Sequence, residues 1–359
     1  MITISLCMIV KNEEDTLGRC LDSVQGIVDE INIVDTGSDD RTKEIASNYT
    51  NRIFDFEWVN DFAKARNFAF QTATKDFILW FDADDVFLEE DRRKLQLLKN
   101  ELEPSIDSVT MEYHLAADEY GNVTMKSVRN RLVNRSKQFE WIGAVHEYLE
   151  VSGDIFTSDI AVTHKSIRHD ADRNLQIYEQ QLSEGREFTP RDLFYYANEL
   201  RDHQLYERAA EYYEKFLSTR QGWVEDNISA CIRLADCYFA LGDAEAQLES
   251  TLRSLQYDHP RPELCCRLGF YFISRHNYNA AIFWYQLATT IELPKGSMGF
   301  QNPSFSTWLP HLQLCVCYDR IGQYELAYKH NEEARTYRPT DTRILHNKIY
   351  LEPLLHKEA

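Results

Sequence analysis

Short apolar runs alternate with amphipathic stretches through the first third of the chain. Residues 3–10 form one apolar run, 14–26 carry a helical pattern, 31–35 (INIVD) form a second run, 41–48 a second helix, and 76–82 (DFILWFD) a third run. Buried strands separated by helices predict a largely parallel, doubly wound sheet, an α/β domain of Rossmann-like layout. Ligands of such sheets bind beyond the carboxyl ends of the strands, which directs attention to the segments after Val10, Val34 and Phe81. Those segments read KNEED, DTGSDD and DADD; all are polar and two are rich in carboxylates.

From about Arg191 onward the period becomes purely helical, with Ala and aromatic residues recurring and no strand pattern. In LYERAAEYYEKFL, GDAEAQLESTL, NYNAAIFWYQLA and QYELAYKHNEEA the equivalent position falls at Tyr206, Ala244, Tyr278 and Tyr324, steps of 38, 34 and 46 residues. A 34-residue helix-turn-helix unit resembles the tetratricopeptide repeat. The longest step fits the same unit with an insertion, assigned to the loop-like run KGSMGFQNPSFS at 295–306. The aromatic residues of this half, among them Tyr195, Tyr196, Tyr212, Tyr213, Trp223, Tyr271, Trp284 and Tyr285, sit at helical spacing and read mainly as core between repeats.

Composition narrows the partners. The 359 residues carry a net charge of −19, and residues 1–190 hold −15 of it. A surface of that sign disfavours the phosphate backbone of nucleic acids and attracts divalent cations. No stretch approaches the 18 or so apolar residues of a membrane span, and the first ten residues lack a signal peptide's basic start and cleavage site. A bacterial cytoplasmic location is expected, with no membrane partner. The eight cysteines show no CxxC pair and sit mostly in apolar helical patterns, which predicts buried reduced thiols.

Asp82, Ala83, Asp84 and Asp85 emerge from the third apolar run. In an extended segment Asp82 and Asp84 share a side, where two carboxylates repel unless a cation such as Mg²⁺ or Mn²⁺ lies between them and bridges to phosphate oxygens. A solvated turn opening the acidic helix start LEEDRR is the alternative. DTGSDD can serve a ligand through Asp35 or simply cap the next helix through Ser38 or Asp39. Arg66 lies in a helical pattern of small and apolar residues and needs an anionic partner, either a diphosphate or an internal carboxylate such as Asp35 or Asp82. In WIGAVHE (141–147) Trp141 can stack on a sugar face, and His146 and Glu147 can titrate, His146 being equally readable as a core or hinge histidine.

Five ordered motifs, Met8–Glu14 (MIVKNEE), Val34–Thr42 (VDTGSDDRT), Asp61–Asn67 (DFAKARN), Asp82–Asp84 (DAD) and Trp141–Glu147 (WIGAVHE), resemble those of family 2 inverting glycosyltransferases of the GT-A fold. The resemblance covers about residues 2–175. It implies a GT-A domain at 1–175, a linker helix at 176–190 and an all-α repeat domain at 191–359. Val10, Asn12 and Glu14 would then offer groups to the base and ribose of a UDP-sugar. Asp35, beside Gly37, would accept from the uracil or ribose; Thr36 stands where many relatives have a second Asp. Arg66, Asp82, Ala83 and Trp141 would line the sugar diphosphate, and Arg173, with Asn174, would face phosphate. Asp84, Asp82 and His164 would hold the divalent metal, although His164 is followed by Lys-Ser-Ile where relatives often have a Gly-containing turn.

Inverting transfer is a single displacement and needs a base on the acceptor side. Glu147 is the first candidate and His146 the second. Members with an ARN motif, a GxVHE motif and helical repeats most resemble bacterial enzymes that glycosylate cysteine in ribosomally made antimicrobial peptides. That implies a hexose moved from UDP-glucose or UDP-N-acetylglucosamine to a peptide thiol, with the repeats available for an acceptor peptide or a homodimer. A Ser/Thr or glycan acceptor is the nearest alternative. A non-catalytic repeat scaffold with a decayed nucleotide-sugar domain is the alternative of a different class.

Overall fold

The computed structural model describes residues 1–167, 172–292 and 298–355. Two compact units are present. Met1–Ala116 and Lys126–Arg186 make up most of the first, and Ala117–Met125 with the described residues from Glu187 onward most of the second.

The first unit contains strands β1 (Ile4–Val10), β2 (Glu30–Asp35), β3 (Ile53–Asp55), β4 (Phe77–Phe81), β5 (Asp85–Val86), β6 (Ser108–Ala117), β7 (Val123–Asn134), β8 (Trp141–Ile142), β9 (Tyr148–Leu149) and β10 (Ile155–His164). Helices α1 (Leu17–Val24), α2 (Thr42–Ser47), α3 (Phe62–Gln71), α4 (Glu89–Glu101) and α5 (Asp172–Ser183) connect or follow them. Eight strands form one sheet in the order β3-β2-β1-β4-β7-β6-β10-β5, and β8 and β9 form a separate ribbon. The pairs β1–β2, β1–β4, β2–β3 and β10–β6 are parallel, so the sheet is mostly parallel as the apolar runs predict; β4–β7 and β10–β5 are antiparallel.

Both sheet faces are covered, which is why β1 and β4 read as continuous apolar runs. Ile4, Leu6, Met8, Leu79 and Phe81 pack with α1 residues Leu17, Cys20 and Leu21 in one core. Cys7, Val34 and Ile78 pack with Ala69 and Ala73 in another. Register then aligns the strand ends: Val10 lies beside Asp35, Asp35 beside Asp55, and Phe81 beside Met8.

The second unit contains α6 (Pro190–Asp202), α7 (Tyr206–Thr219), α8 (Val224–Leu241), α9 (Ala244–Arg253), α10 (Pro262–Ser274), α11 (Tyr278–Thr290), α12 (Trp308–Arg320), α13 (Tyr324–Tyr337) and α14 (Thr342–Leu355). Thr189 and Asp192 form a capping box on α6, with Pro190 at its first position. The recurring positions Tyr206, Ala244, Tyr278 and Tyr324 are the first residues of α7, α9, α11 and α13, so the measured period is that of helical hairpins. The described part of the insertion contains only a 3₁₀ turn, Pro303–Phe305; residues 295–297 lie outside the described residues. All eight cysteines are buried free thiols.

Hairpin α10–α11 shows how closely these helices approach. A Cβ on Gly269 would lie 2.6 Å from two ring atoms of the buried Tyr285. Gly269→Ala is therefore expected to lower stability by about 1–3 kcal/mol despite its better helix propensity, because a buried ring cannot retreat. Thermal unfolding of the variant checks this.

Between α12 and α13, His311 and His330 approach with Nδ1 atoms 2.9 Å apart, and Tyr318 stacks on His330. Burial, then the His311 and Lys329 charges, pushes the His330 pKa down to about 4. An unfolded histidine takes up its proton near 6.5, so the folded chain binds fewer protons between those values. The contribution is complete above about pH 6.5 and is lost as pH falls toward 4. Melting temperature should drop over this interval, and less so in His330→Gln.

Candidate active site

The three polar segments meet beyond the carboxyl ends of β1, β2 and β4. Thr36 donates to the Val10 carbonyl through its backbone N–H (2.9 Å) and its hydroxyl (3.1 Å). Asn12, in the left-handed region at φ 56°, donates its N–H to Ser38 Oγ and accepts from the Asp39 N–H through Oδ1. The Glu14 N–H donates to Asp40 Oδ2, and Glu14 Oε2 accepts from Arg41 Nε at 3.1 Å. Val10, Asn12 and Glu14 thus brace the β1 loop against the β2 loop. At the start of α2 it is Asp40 whose Oδ1 accepts from the Thr42 N–H, while the Ser38 hydroxyl accepts from Asn12.

Asp35 is buried at the end of β2. Its Oδ1 accepts from the Gly37 and Ser38 N–H groups at 3.0 and 2.9 Å, and the positive φ of Gly37 lets the loop fold back over it. Its Oδ2 is buried with no hydrogen-bond partner among the described residues. A carboxylate oxygen left in that state calls for an N–H or O–H donor from outside the chain.

The DADD segment is not extended. Ala83 and Asp84 form a turn closed by a bond from the Asp85 N–H to the Asp82 carbonyl, so strand alternation does not set the sides on which Asp82 and Asp84 lie. Asp82 turns to Arg66, its Oδ1 2.7 Å from Arg66 Nη2. Burial raises the Asp82 pKa, but Arg66 and then Arg131 outweigh it and hold the group below the ordinary carboxylate range. Asp84 and Asp85 instead face His164, each Oδ1 3.4 Å from its Nδ1. Pairing of β10 with β5 sets this up by placing His164 opposite Asp85. Tyr113 bonds the same Nδ1 at 3.0 Å.

Among the described residues, Asp84, Asp85 and His164 are the group able to offer three ligand atoms within 4.8 Å of one another. The set expected from the motif, with Asp82 in place of Asp85, is not the set that converges, because Arg66 holds Asp82. Two carboxylates and an imidazole suit Mn²⁺ better than Mg²⁺, which prefers oxygen alone. Burial opposes charge on His164, yet Asp84 and Asp85 outweigh it and push its pKa up to about 10. Glu13, near Asp84 and Asp82, has its pKa raised by burial and then by those charges.

α3 carries Arg66 and Asn67 to the 141–147 segment. Arg66 Nε lies 2.5 Å from Glu147 Oε1, so this one guanidinium joins Glu147 to Asp82. It is buried between Trp80 and Trp141, whose ring centroids are 5.0 and 4.8 Å from its Cζ. The next residue, Asn67, exchanges bonds with the backbone of Trp141 (3.0 and 2.8 Å) and pins the 141–147 segment to α3. The internal-carboxylate alternative for Arg66 is therefore the one present.

Trp141 is 5% exposed, edge-on to Trp80 at 4.7 Å. Its faces are occupied by Arg66 and core aromatics, so it shapes the Arg66 pocket where stacking on sugar was expected. His146 is held at φ 50°, a conformation unusual for a non-glycine residue. Arg173, in the first turn of α5, lies over the Phe62 ring at 4.8 Å, and its charge offsets part of the rise in the Glu13 pKa.

Sequence reading missed Asp85 as part of the converging group, and it missed Glu13, Asn67, Tyr113 and Arg131. Asn67 was discoverable from its place next to Arg66. Tyr113 and Arg131 were not, since their approach to the acids follows from pairing between strands far apart in sequence.

Residues 5–149 match Glycosyl transferase family 2. Over 230 residues the chain is 29% identical to the SPbeta prophage-derived glycosyltransferase SunS of Bacillus subtilis, covering 60% of this chain and 53% of SunS. It is 47% identical over 90 residues to a TPR repeat-containing protein of Synechococcus elongatus, covering 25% of this chain and 22% of that protein. The chain thus spans about half the length of SunS and less of the other. The crystal structure of MamA aligns with 47% of this chain at a TM-score of 0.38 and 17% identity. The match to glycosyl transferase family 2 thus falls on residues 5–149, within the first unit of a chain whose second unit is built from helical hairpins.

Proposed function

We propose that the chain is a metal-dependent inverting glycosyltransferase that moves a hexose from a UDP-sugar to a peptide side chain, a cysteine thiol first among acceptors. The observation that carries this reading is the convergence of Asp84, Asp85 and His164 at the end of the β4 segment of a family 2 domain. The partnerless Asp35 Oδ2 supports a nucleotide at the neighbouring strand end. The likeness to the glycosyltransferase SunS supports sugar transfer.

In this reading Asp84 and His164 hold Mn²⁺ or Mg²⁺, which when bound neutralises charge developing on the departing diphosphate. The acceptor atom attacks the anomeric carbon as the bond from that carbon to the diphosphate oxygen breaks, and UDP leaves with the electron pair. Glu147 takes the acceptor's proton, and Arg66 fixes the direction its carboxylate faces. His146 beside it orients the acceptor. Arg173, with Asn174, attracts the diphosphate from the start of α5. Residues 187–359 bind the acceptor peptide or a second copy of the chain.

The test is intact-mass analysis of a cysteine-containing peptide pool and its serine-substituted counterpart, incubated with the full chain, Mn²⁺ and either UDP-glucose or UDP-N-acetylglucosamine. A hexose-sized increment on cysteine peptides alone is expected. Increments only on serine peptides would move the acceptor to oxygen.

A further inference from the structure

Directly behind the acid cluster lies a second buried arginine. Arg131, on β7, has no exposed side-chain surface, and its Nη1 stands 3.0 Å from Oδ2 of the equally buried Asp85. The guanidinium is packed against the rings of Trp80 and Tyr113, with centroids 3.9 and 4.4 Å from Cζ. Apart from Asp85, Nη1 reaches the Trp80 carbonyl at 3.3 Å, while Nε and Nη2 are buried without hydrogen-bond partners among the described residues.

Such a pair is a poor way to stabilise a fold. Desolvating both ions offsets their attraction, and unsatisfied donors add a further penalty, so apolar residues of similar volume usually serve better. Its effect on charge is more distinctive. Without Arg131, the two carboxylates of the Asp84, Asp85 and His164 group would both face a cation at full charge; with it, Asp85 is matched and Asp84 is the one carboxylate of the group with no arginine partner among the described residues.

We propose that Arg131 is a positioning residue that acts as the internal counter-ion of Asp85, so that the divalent cation is held by Asp84 and His164 and remains weakly bound until a nucleotide diphosphate completes its shell. This inference rests on the metal-dependent reading above. A cation gripped by two full carboxylates would bind without nucleotide and outlast the product. One whose protein charge is trimmed to a single carboxylate binds and departs with the diphosphate.

The test titrates the full chain with Mn²⁺ and reads free ion by electron paramagnetic resonance, with and without UDP, so that no turnover is needed. Removing the positive charge in Arg131→Met should tighten Mn²⁺ binding without nucleotide by at least about tenfold and shrink the gain from UDP. Asp85→Asn, which leaves the guanidinium unmatched, should weaken binding by at least about tenfold. Arg131→Met combined with Asp85→Asn removes both charges and should return to within about threefold of wild type. A double variant as weak as Asp85→Asn makes Asp85 a direct ligand and overturns the inference, as does an Arg131→Met chain that folds and binds Mn²⁺ no tighter than wild type. If Arg131→Met fails to fold, the comparison of Asp85→Asn with the double variant decides alone. A wild-type chain that binds no Mn²⁺ even with UDP overturns the metal-dependent reading, and the inference with it.

Discussion

Replacing Asp84 by alanine is expected to lower kcat/KM for sugar transfer by at least about a thousandfold and to abolish the Mn²⁺-dependent part of UDP binding. The residue sits on a turn at the edge of the sheet, and its carbonyl, which accepts from the Lys165 N–H at 2.8 Å, survives the substitution. The side chain's ion pair is to His164, so the loss is expected to be chemical, and thermal unfolding of the variant checks that the fold is kept. What disappears is the one acid of the converging group not matched by a buried arginine, since Asp82 belongs to Arg66 and Asp85 to Arg131. Asp82→Ala is also expected to be severe, by a different route: it frees one side of Arg66 and loosens the guanidinium that carries Glu147. Calorimetric titration with UDP, with and without Mn²⁺, separates the two. The Asp84 variant should lose the difference between the titrations, and the Asp82 variant should keep a measurable part of it.

Glu147→Gln should lower kcat by about a hundredfold or more near pH 7 with little change in UDP-sugar affinity, because general-base assistance is worth roughly 10²–10⁴ in rate. The substitution keeps the shape of the side chain and removes the carboxylate that, in the proposed mechanism, receives the acceptor's proton. It also takes one anion from Arg66, which retains Asp82 and its place between Trp80 and Trp141, so the pocket persists. A thiol, with a pKa of about 8.5, is only a few per cent ionised at neutral pH, and raising the pH supplies thiolate without the enzyme's help. Activity of the variant on a cysteine acceptor should therefore recover partly between pH 7 and 9, whereas a serine acceptor would show no such recovery. Near-normal turnover in Glu147→Gln would transfer the role to His146.

The strands β1, β2 and β4 were legible because they are buried on both faces, leaving runs such as FILWF with no polar interruption. The period of the helical hairpins was legible because each second helix begins at an equivalent Ala or Tyr. Legibility ended where partners are decided by tertiary pairing. The DADD acids were readable as a cluster, but their division among Arg66, Arg131 and His164 depends on α3, β7 and β10, which bring partners from roughly 16 to 80 residues away along the chain. Trp141 illustrates the same limit: an aromatic residue beside two titratable groups suggests a sugar platform, and only the packing of Trp80 and Arg66 reveals that its faces are covered. Arg66, likewise, could be seen to need an anion, but not which anion.

The central claim is that a cation held at Asp84 and His164 enables departure of UDP from a sugar donor. It is tested most directly by measuring UDP released from UDP-glucose and UDP-N-acetylglucosamine by the full chain with Mn²⁺, with chelator, and with Mn²⁺ after Asp84→Ala. Release from one of the donors by the wild type with Mn²⁺, lost both in chelator and in the variant, is the predicted result. Release that continues unchanged in chelator, or in the Asp84 variant, would contradict the claim.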